Sequence, residues 1–268
     1  MTRYHRQVIF EPFGEQGQEQ LAKSRVLICG CGALGGSVAA ILARAGVGFL
    51  RLLDDDFVTL GNLHRQFLFD ESDAESETPK VIAAARTLRA ANSTVTIEPI
   101  CSRLTAENGS DLVADIALLI DGTDNFPSRF LLNELALRYG KPLVSGGVTG
   151  LSGQVITVLP GQTPCLGCVF DPALVWDEGR GARREERDTG VPYAEQFPVL
   201  SPIVQVVSAC QAVEAMKILS GNIDRVCRAM QTFDLWNNRF RQFPLEQLAP
   251  ERCQMCRGER LARWLAPG

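Results

Sequence analysis

VLICGCGALGGSVAAILARAGVGFLRLLDDD, Val26 to Asp56, reads as strand, glycine turn, helix, strand and acid in that order. RVLIC (Arg25–Cys29) is a short apolar strand, and LGGSVAAILARAG (Leu34–Gly46) carries apolar residues at helical spacing with a glycine stop. FLRLLD (Phe49–Asp54) is the next strand. Between strand and helix, Gly30-Cys31-Gly32-Ala33-Leu34-Gly35 fits G-x-G-x-x-G. Such a turn lets a ligand approach the backbone and offers the unpaired N–H groups of a helix N-terminus to phosphate. Asp54 closes the second strand, where it can accept hydrogen bonds from ribose hydroxyls. The unit therefore predicts nucleotide binding. It does not choose between a dinucleotide used for redox work and ATP, and a tight turn that holds no ligand has the same form.

Working outward, the same alternation continues. PKVIAAARTLRAAN (Pro79–Asn92) is a helix, VTIEPI (Val95–Ile100) and IALLID (Ile116–Asp121) are strands, SRFLLNELALRYG (Ser128–Gly140) is a helix and PLVSGG (Pro142–Gly147) a strand. Strands alternating with helices predict an α/β fold, a Rossmann-like and mostly parallel sheet with helices on both faces. After Gly150 the pattern changes. GQVITVLPG is an added strand with no helix after it, and about 171–201 is a long polar loop. PIVQVVSACQAVEAMKILSG (Pro202–Gly221) is a strong helix, and the runs Ala229–Trp236 and Arg239–Phe243 are strand-like. Nothing in residues 1–268 reads as a linker, so one domain is expected.

Composition narrows the function classes. With 46% hydrophobic and 22% charged residues, the chain has the balance of a soluble globular enzyme. A net charge of −4 argues against general binding to nucleic acid or an anionic membrane. No apolar run reaches the roughly 18 residues a membrane span needs, and MTRYHRQVIFEPF has no signal-peptide core. Nine cysteines include two Cys-x-x-Cys pairs, Cys165/Cys168 and Cys253/Cys256. Without an export signal these favour metal binding in a reducing cytoplasm over a disulfide framework. Two such turns can supply the tetrahedral thiolates of a structural zinc site, but the long separation between them weakens an argument from spacing alone, and two unrelated surface pairs or a redox couple stay open on the residues.

The charges beyond Asp54 suit a triphosphate. GNLHRQ brings Asn62, Arg65 and Gln66, Lys80 opens a helix, and DGTDN brings Asp121, Asp124 and Asn125 to the end of a strand. Arg and Lys match phosphate charge, and a carboxylate can hold Mg²⁺ against it. Taken alone, Lys80 reads as a solvated helix-start lysine, and either aspartate could cap a helix.

Together RYHRQ (Arg3–Gln7), GCGALG, LLDDDFV, GNLHRQ, TPK (Thr78–Lys80), DGTDN, both Cys-x-x-Cys pairs and SPIVQVVSACQAVEAMKIL give a chain that resembles the ThiF/MoeB/HesA adenylyltransferases, relatives of ubiquitin-activating enzymes. The resemblance runs from about Arg3 to Cys256. It implies a homodimer that binds ATP and Mg²⁺ at the glycine turn and adenylates the C-terminal glycine of a small ubiquitin-fold or sulfur-carrier protein, releasing pyrophosphate. It implies backbone contacts at Gly32 and Ala33, a ribose ligand in Asp54, and a phosphate cradle of Asn62, Arg65 and Lys80 beside Gln66. Asp124 is implied as the Mg²⁺ carboxylate, with Asn125 beside the nucleotide, and Arg6 as an arginine that reaches ATP in the partner subunit. Zn²⁺ is implied at Cys165, Cys168, Cys253 and Cys256. Ala33 stands where the family often has glycine, a mild departure for a backbone contact.

A larger departure concerns the loop. Many relatives carry a cysteine there, near position 194 by counting back from Pro202, whereas no cysteine occurs between Cys168 and Cys210. The expectation is an enzyme that stops at the acyl-adenylate and uses no loop thioester. Cys29, Cys31 and Cys210 read as packing thiols, Cys101 and Cys227 have no evident partner, and His5 and His64 read as structural. Three rivals remain at this level: adenylation of a peptide carboxylate in natural-product synthesis, a non-catalytic nucleotide-binding scaffold, and an NAD-dependent oxidoreductase.

Overall fold

The computed structural model describes residues 3–170, 197–248 and 253–257. In chain order its elements are α1 (His5–Val8), α2 (Gly14–Lys23), β1 (Arg25–Cys29), α3 (Ala33–Ala45), β2 (Phe49–Asp54), α4 (Glu71–Glu75), α5 (Lys80–Ala91), β3 (Thr96–Cys101), α6 (Ala106–Val113), β4 (Leu118–Asp121), α7 (Phe126–Arg138), β5 (Leu143–Thr149), β6 (Ser152–Val158), α8 (Leu166–Val169), α9 (Ser201–Leu219), β7 (Ala229–Asp234) and β8 (Arg239–Pro244). Short 3₁₀ turns lie at Leu60–Asn62 and Ile223–Arg225.

All eight strands form one sheet, ordered β3-β2-β1-β4-β5-β6-β7-β8. The first five run parallel, and β6, β7 and β8 extend the sheet antiparallel. Successive strand residues face opposite sides, and both sides are buried here. Val26, Ile28, Leu50, Leu52, Leu118 and Ile120 pack under α3, α5 and α9. Leu27, Cys29, Leu53 and Leu119 pack on the other face with Leu112 and Val113 of α6 and Phe130, Leu132 and Leu135 of α7. That double burial makes these strands near-continuous apolar runs.

From β1 the chain crosses to β2 and β3 on one side and later to β4 and β5 on the other. The carboxyl ends of β1 and β4 thus flank the point where strand order reverses, the usual ligand crevice of an open α/β sheet. Glycine closes both ends. Gly30 turns with φ +85°, and a Cβ on Gly35 would lie 1.8 Å from the Gly30 carbonyl oxygen. That approach presses the start of α3 against β1, and only glycine permits it.

The expected elements are found within a few residues. The helix expected from Ser128 begins at Phe126, because the Asn125 side chain accepts a hydrogen bond from the Ser128 N–H at 2.9 Å and caps it. Helices α1, α2, α4, α6 and α8 were not legible in the sequence; they are short or carry mixed polar faces. Most of the loop expected at about 171–201 lies outside the described residues. From 197 onward the chain returns to the sheet, and Val199 bridges Gly150 in parallel. Helix α9 is long and apolar enough by length and composition to cross a membrane. It packs instead on α3, β5 and β6, burying Ile203, Val204, Val207 and the polar Gln211 and Glu214.

One buried group works against this packing. Glu134 on α7 is fully buried, and neither carboxylate oxygen has a hydrogen-bond partner. Burial pushes its pKa up to about 8, with Arg138 partly offsetting it. The folded chain therefore holds a proton that the unfolded chain has lost, and stability falls as pH rises from the ordinary value of 4.5 through about 8. Glu134→Gln should raise the Tm by a few degrees at about pH 9 and by much less at about pH 5. Calorimetry at both pH values checks this, and an equal change at both would contradict it.

Candidate active site and cysteine cluster

The glycine turn is braced from three sides. Asp54, at the end of β2, accepts the Cys31 N–H at 2.6 Å on one carboxylate oxygen and the Asp56 N–H at 2.8 Å on the other. Burial pushes the Asp54 carboxyl above its ordinary pKa, against the pull of Lys80 and of these two N–H donors. Gln66 is buried, and its side chain lies 3.5 Å from where a Cβ on Gly32 would sit. The atom nearest Gly32 is Nε2, a donor, while Oε1 is buried with no hydrogen-bond partner among the described residues. The turn after β4 closes the third side, since a Cβ on Gly30 would meet the Gly122 carbonyl oxygen at 2.6 Å. Ala33 begins α3 directly behind Gly32, the residue that precedes the helix.

Lys80 is not the solvated lysine its position suggested. It is 7% exposed. Its Nζ donates to Asp56 Oδ2 at 2.7 Å and its backbone N–H to the Asp56 carbonyl at 2.9 Å. Asp56 thus joins the candidate site, and sequence reading missed it; the only available signal was that it is the third acid of the run Asp54-Asp55-Asp56. Asn62 ends the 3₁₀ turn at Leu60–Asn62, and its carbonyl accepts the N–H groups of Arg65 and Gln66 at 3.1 Å each. Arg65 reaches back to the Gly61 carbonyl at 3.0 Å and to His64 Nε2 at 3.3 Å.

Within DGTDN the residues part company. Asp121 is fully buried and paired with Arg129 at 2.8 Å, so it is neither a helix cap nor a free ligand for a nucleotide. Asp124 is exposed, and its contact is with Asn125 Nδ2 at 3.3 Å. Asn125 spends its own side-chain oxygen capping α7.

Arg6 is not brought to this site. It sits on α1, which is tied to the far end of α3: Gln7 Nε2 donates to the Ala45 carbonyl at 3.0 Å, and Tyr4 packs on Gly46. With 13 residues at about 1.5 Å each, α3 separates Arg6 from its own glycine turn by about 20 Å.

The four cysteines of the two Cys-x-x-Cys pairs come together on the opposite sheet face, which excludes two separate surface pairs. Their sulfurs lie within 4.8 Å of one another. Cys165–Cys168 is 3.9 Å, Cys165–Cys253 3.8 Å and Cys168–Cys256 3.5 Å. Ligands at about 2.3 Å from a tetrahedral zinc are about 3.8 Å apart, so the donor set and its spacing fit that ion. Asn133 of α7 joins the two turns, accepting the Leu166 N–H at 3.0 Å and donating to Met255 Sδ at 3.7 Å. Hydrogen bonds from Cys165 and Cys168 pull the Cys256 thiol down to about 7, whereas those from its three neighbours push Cys165 up. Elsewhere Cys29 and Cys31 are core thiols that burial pushes far above the ordinary range. Cys210 packs half-buried against the core and Cys101 is exposed.

The ThiF family model matches residues 4–255. The sulfur carrier protein ThiS adenylyltransferase of Bacillus subtilis is 36% identical over 254 residues, covering 95% of this chain and 71% of that protein. The sulfur carrier protein adenylyltransferase of Thermus thermophilus is 33% identical over 270 residues, covering 99% and 94%. The heterocyst HesA protein of Trichormus variabilis is 34% identical over 257 residues, covering 96% and 88%. Among solved structures, Escherichia coli MccB with ATP superposes with a TM-score of 0.78 at 22% identity, covering 95% of this chain and 74% of that one. At that identity the likeness speaks for the fold alone. Family model, near-full-length relatives and the arrangement around the glycine turn converge: the chain belongs to the ThiF family and is an enzyme of its adenylyltransferase type.

Proposed function

We propose that this enzyme uses ATP to adenylate the C-terminal glycine carboxylate of a small ubiquitin-fold or sulfur-carrier protein. The observation that carries the reading is the convergence of Asp54, Gln66, Lys80 and the Asp124 turn on one glycine loop at the strand-order switch. A carboxylate oxygen of the carrier attacks the α-phosphorus, the bond from that phosphorus to the bridging oxygen breaks, and pyrophosphate leaves. Asp54 receives the ribose hydroxyls. The N–H groups at Gly32 and Ala33 face the phosphates. Asn62, Arg65 and Lys80 cancel charge on the departing pyrophosphate, with Gln66 and Asn125 beside the nucleotide. Fixed cations are the main catalytic resource for such a transfer. On binding, Lys80 exchanges Asp56 for phosphate. Asp124, exposed and bonded among the described residues only to the neighbouring Asn125 amide at 3.3 Å, would hold Mg²⁺, which would supply further neutralisation of phosphate charge. The four cysteines hold a structural Zn²⁺ with no open position for chemistry.

The enzyme works as a homodimer in which Arg6 serves the neighbouring site. Its distance along α3 from its own glycine turn supports this reading. So do Ile9 and Phe10, next to α1, which are 59% and 62% exposed and form an apolar surface of the kind a partner covers. No cysteine lies between Cys168 and Cys210, and residues 171–196 are outside the described set. We take the reaction to end at the acyl-adenylate, which passes directly to an external nucleophile.

The test is Mg²⁺-dependent ATP–pyrophosphate exchange with a panel of carriers and peptides. Exchange should require a free C-terminal glycine on a folded carrier and vanish when that carboxylate is amidated. Exchange driven by short peptides alone would favour a peptide substrate. A carrier adduct that reductant releases on a denaturing gel would overturn the claim that no enzyme thioester forms.

A further inference from the structure

The buried charges behind Asp124 have a role that the nucleotide site itself does not exhaust. The fully buried Asp121 carboxylate accepts four hydrogen bonds. Oδ1 takes the Thr123 N–H at 3.0 Å and the Thr123 hydroxyl at 2.6 Å. Oδ2 takes Arg129 Nε at 2.8 Å and the Ser145 hydroxyl at 2.6 Å. Arg129 Nη2 then donates to the carbonyls of Thr123 at 3.2 Å and Gly146 at 2.8 Å. From α9, Gln211 Nε2 donates to the Asp121 carbonyl at 2.9 Å. Every one of these groups is fixed by a second element: Asp121 on β4, Ser145 and Gly146 on β5, Arg129 one turn inside α7.

A buried ion pair seldom repays its desolvation, and an apolar set of similar shape is often as stable or more so. What an apolar set cannot supply is direction. Here the pair fixes Thr123 through both its backbone and its side chain, while Asn125 is fixed by capping α7. A single residue, Asp124, lies between the two fixed points and projects into solvent at the glycine turn.

We infer that Arg129 and Thr123 are positioning residues that act through Asp121 to hold the Asp124 carboxylate in place for the metal–nucleotide complex. The inference rests on the adenylation reading above and extends it to residues that touch neither substrate nor metal.

Thr123→Val keeps the shape of the side chain and removes the hydroxyl, Thr123→Ser restores the hydroxyl, and Arg129→Lys keeps the charge but loses the forked geometry. The measurements are ATP binding as a function of Mg²⁺ by calorimetry, kcat and KM in pyrophosphate exchange, and Tm. For Thr123→Val the Mg²⁺ needed for half-maximal ATP binding should rise about tenfold and kcat should fall by about tenfold or more, as lost preorganisation does. KM for the carrier should stay unchanged, and Thr123→Ser should lie close to wild type. Arg129→Lys should shift in the same direction and further. If it fails to fold, the two Thr123 variants decide. A Thr123→Val enzyme with a lower Tm but wild-type Mg²⁺ dependence and kcat would show that the network only supports the fold. If the wild type shows no exchange with any carrier, the adenylation reading fails, and the Mg²⁺ dependence of ATP binding in the same variants still decides the positioning claim.

Discussion

Asp124→Ala should abolish ATP–pyrophosphate exchange while the protein melts within a degree or two of wild type. The structural half of this expectation follows from where the residue lies. Asp124 is exposed, among the described residues it bonds through its side chain to Asn125 alone at 3.3 Å, and the turn on either side is held by other groups. Surface changes of that kind cost little stability. The catalytic half follows from charge. The carboxylate is the one acid at this turn not already neutralised by a buried partner, since Asp121 is spent on Arg129. Removing it should cost at least two to three orders of magnitude in rate, the scale seen when a preorganised electrostatic contact is lost. Arg65→Ala and Lys80→Ala should each cost about a hundredfold. Lys80→Ala leaves Asp56 with its side chain 61% exposed, so water replaces the ammonium and the fold survives. Because Arg6 is about 20 Å from its own turn, exchanged subunits of Arg6→Ala and Asp124→Ala should regain part of the activity, one of the two hybrid sites being intact. Wild-type-like exchange in Asp124→Ala would rule out its assignment, and heterodimers that stay inactive would rule out the shared site.

Replacing any one of Cys165, Cys168, Cys253 or Cys256 by serine should remove about one zinc per chain and lower the Tm by on the order of ten degrees or more. The reason is topological. Residues 253–257 make no strand or helix, and the thiolate cluster, together with Met255 under Asn133 and Gly167, ties them to the molecule. Cys165 and Met255 are also buried members of the core beneath α7, so freeing the turn opens that core to water. Structural zinc in small folds carries roughly 10–16 kcal/mol of apparent binding energy, far above the net stability of most domains. Metal analysis with calorimetry before and after chelation is the measurement, and a metal-free protein with unchanged melting would refute the site.

The order of strand, glycine turn, helix and acid was legible in Val26–Asp56 because each of those elements is locally specified. Apolar runs make strands buried on both faces, and Gly30 and Gly35 are demanded by a backbone contact within a single unit. The four cysteines were legible for a related reason: each Cys-x-x-Cys is a local turn whose chemistry needs a second pair, wherever the chain brings it from. Polar roles were legible only as residue types. Read as residues, without the family resemblance, Asp121 and Asp124 sit in one motif and could not be separated. The tertiary structure separates them by setting Arg129 and Ser145, from α7 and β5, against one and leaving the other in water. The same holds for Lys80, whose helix-start position suggests solvent until Asp56 of the neighbouring segment is brought within 2.7 Å. It holds for Arg6, whose remoteness became visible only once α1 was tied to the C-terminal end of α3. Apolar burial follows from periodicity within an element, whereas the state of a charge depends on partners distant in sequence, and only the folded chain decides which of them it meets.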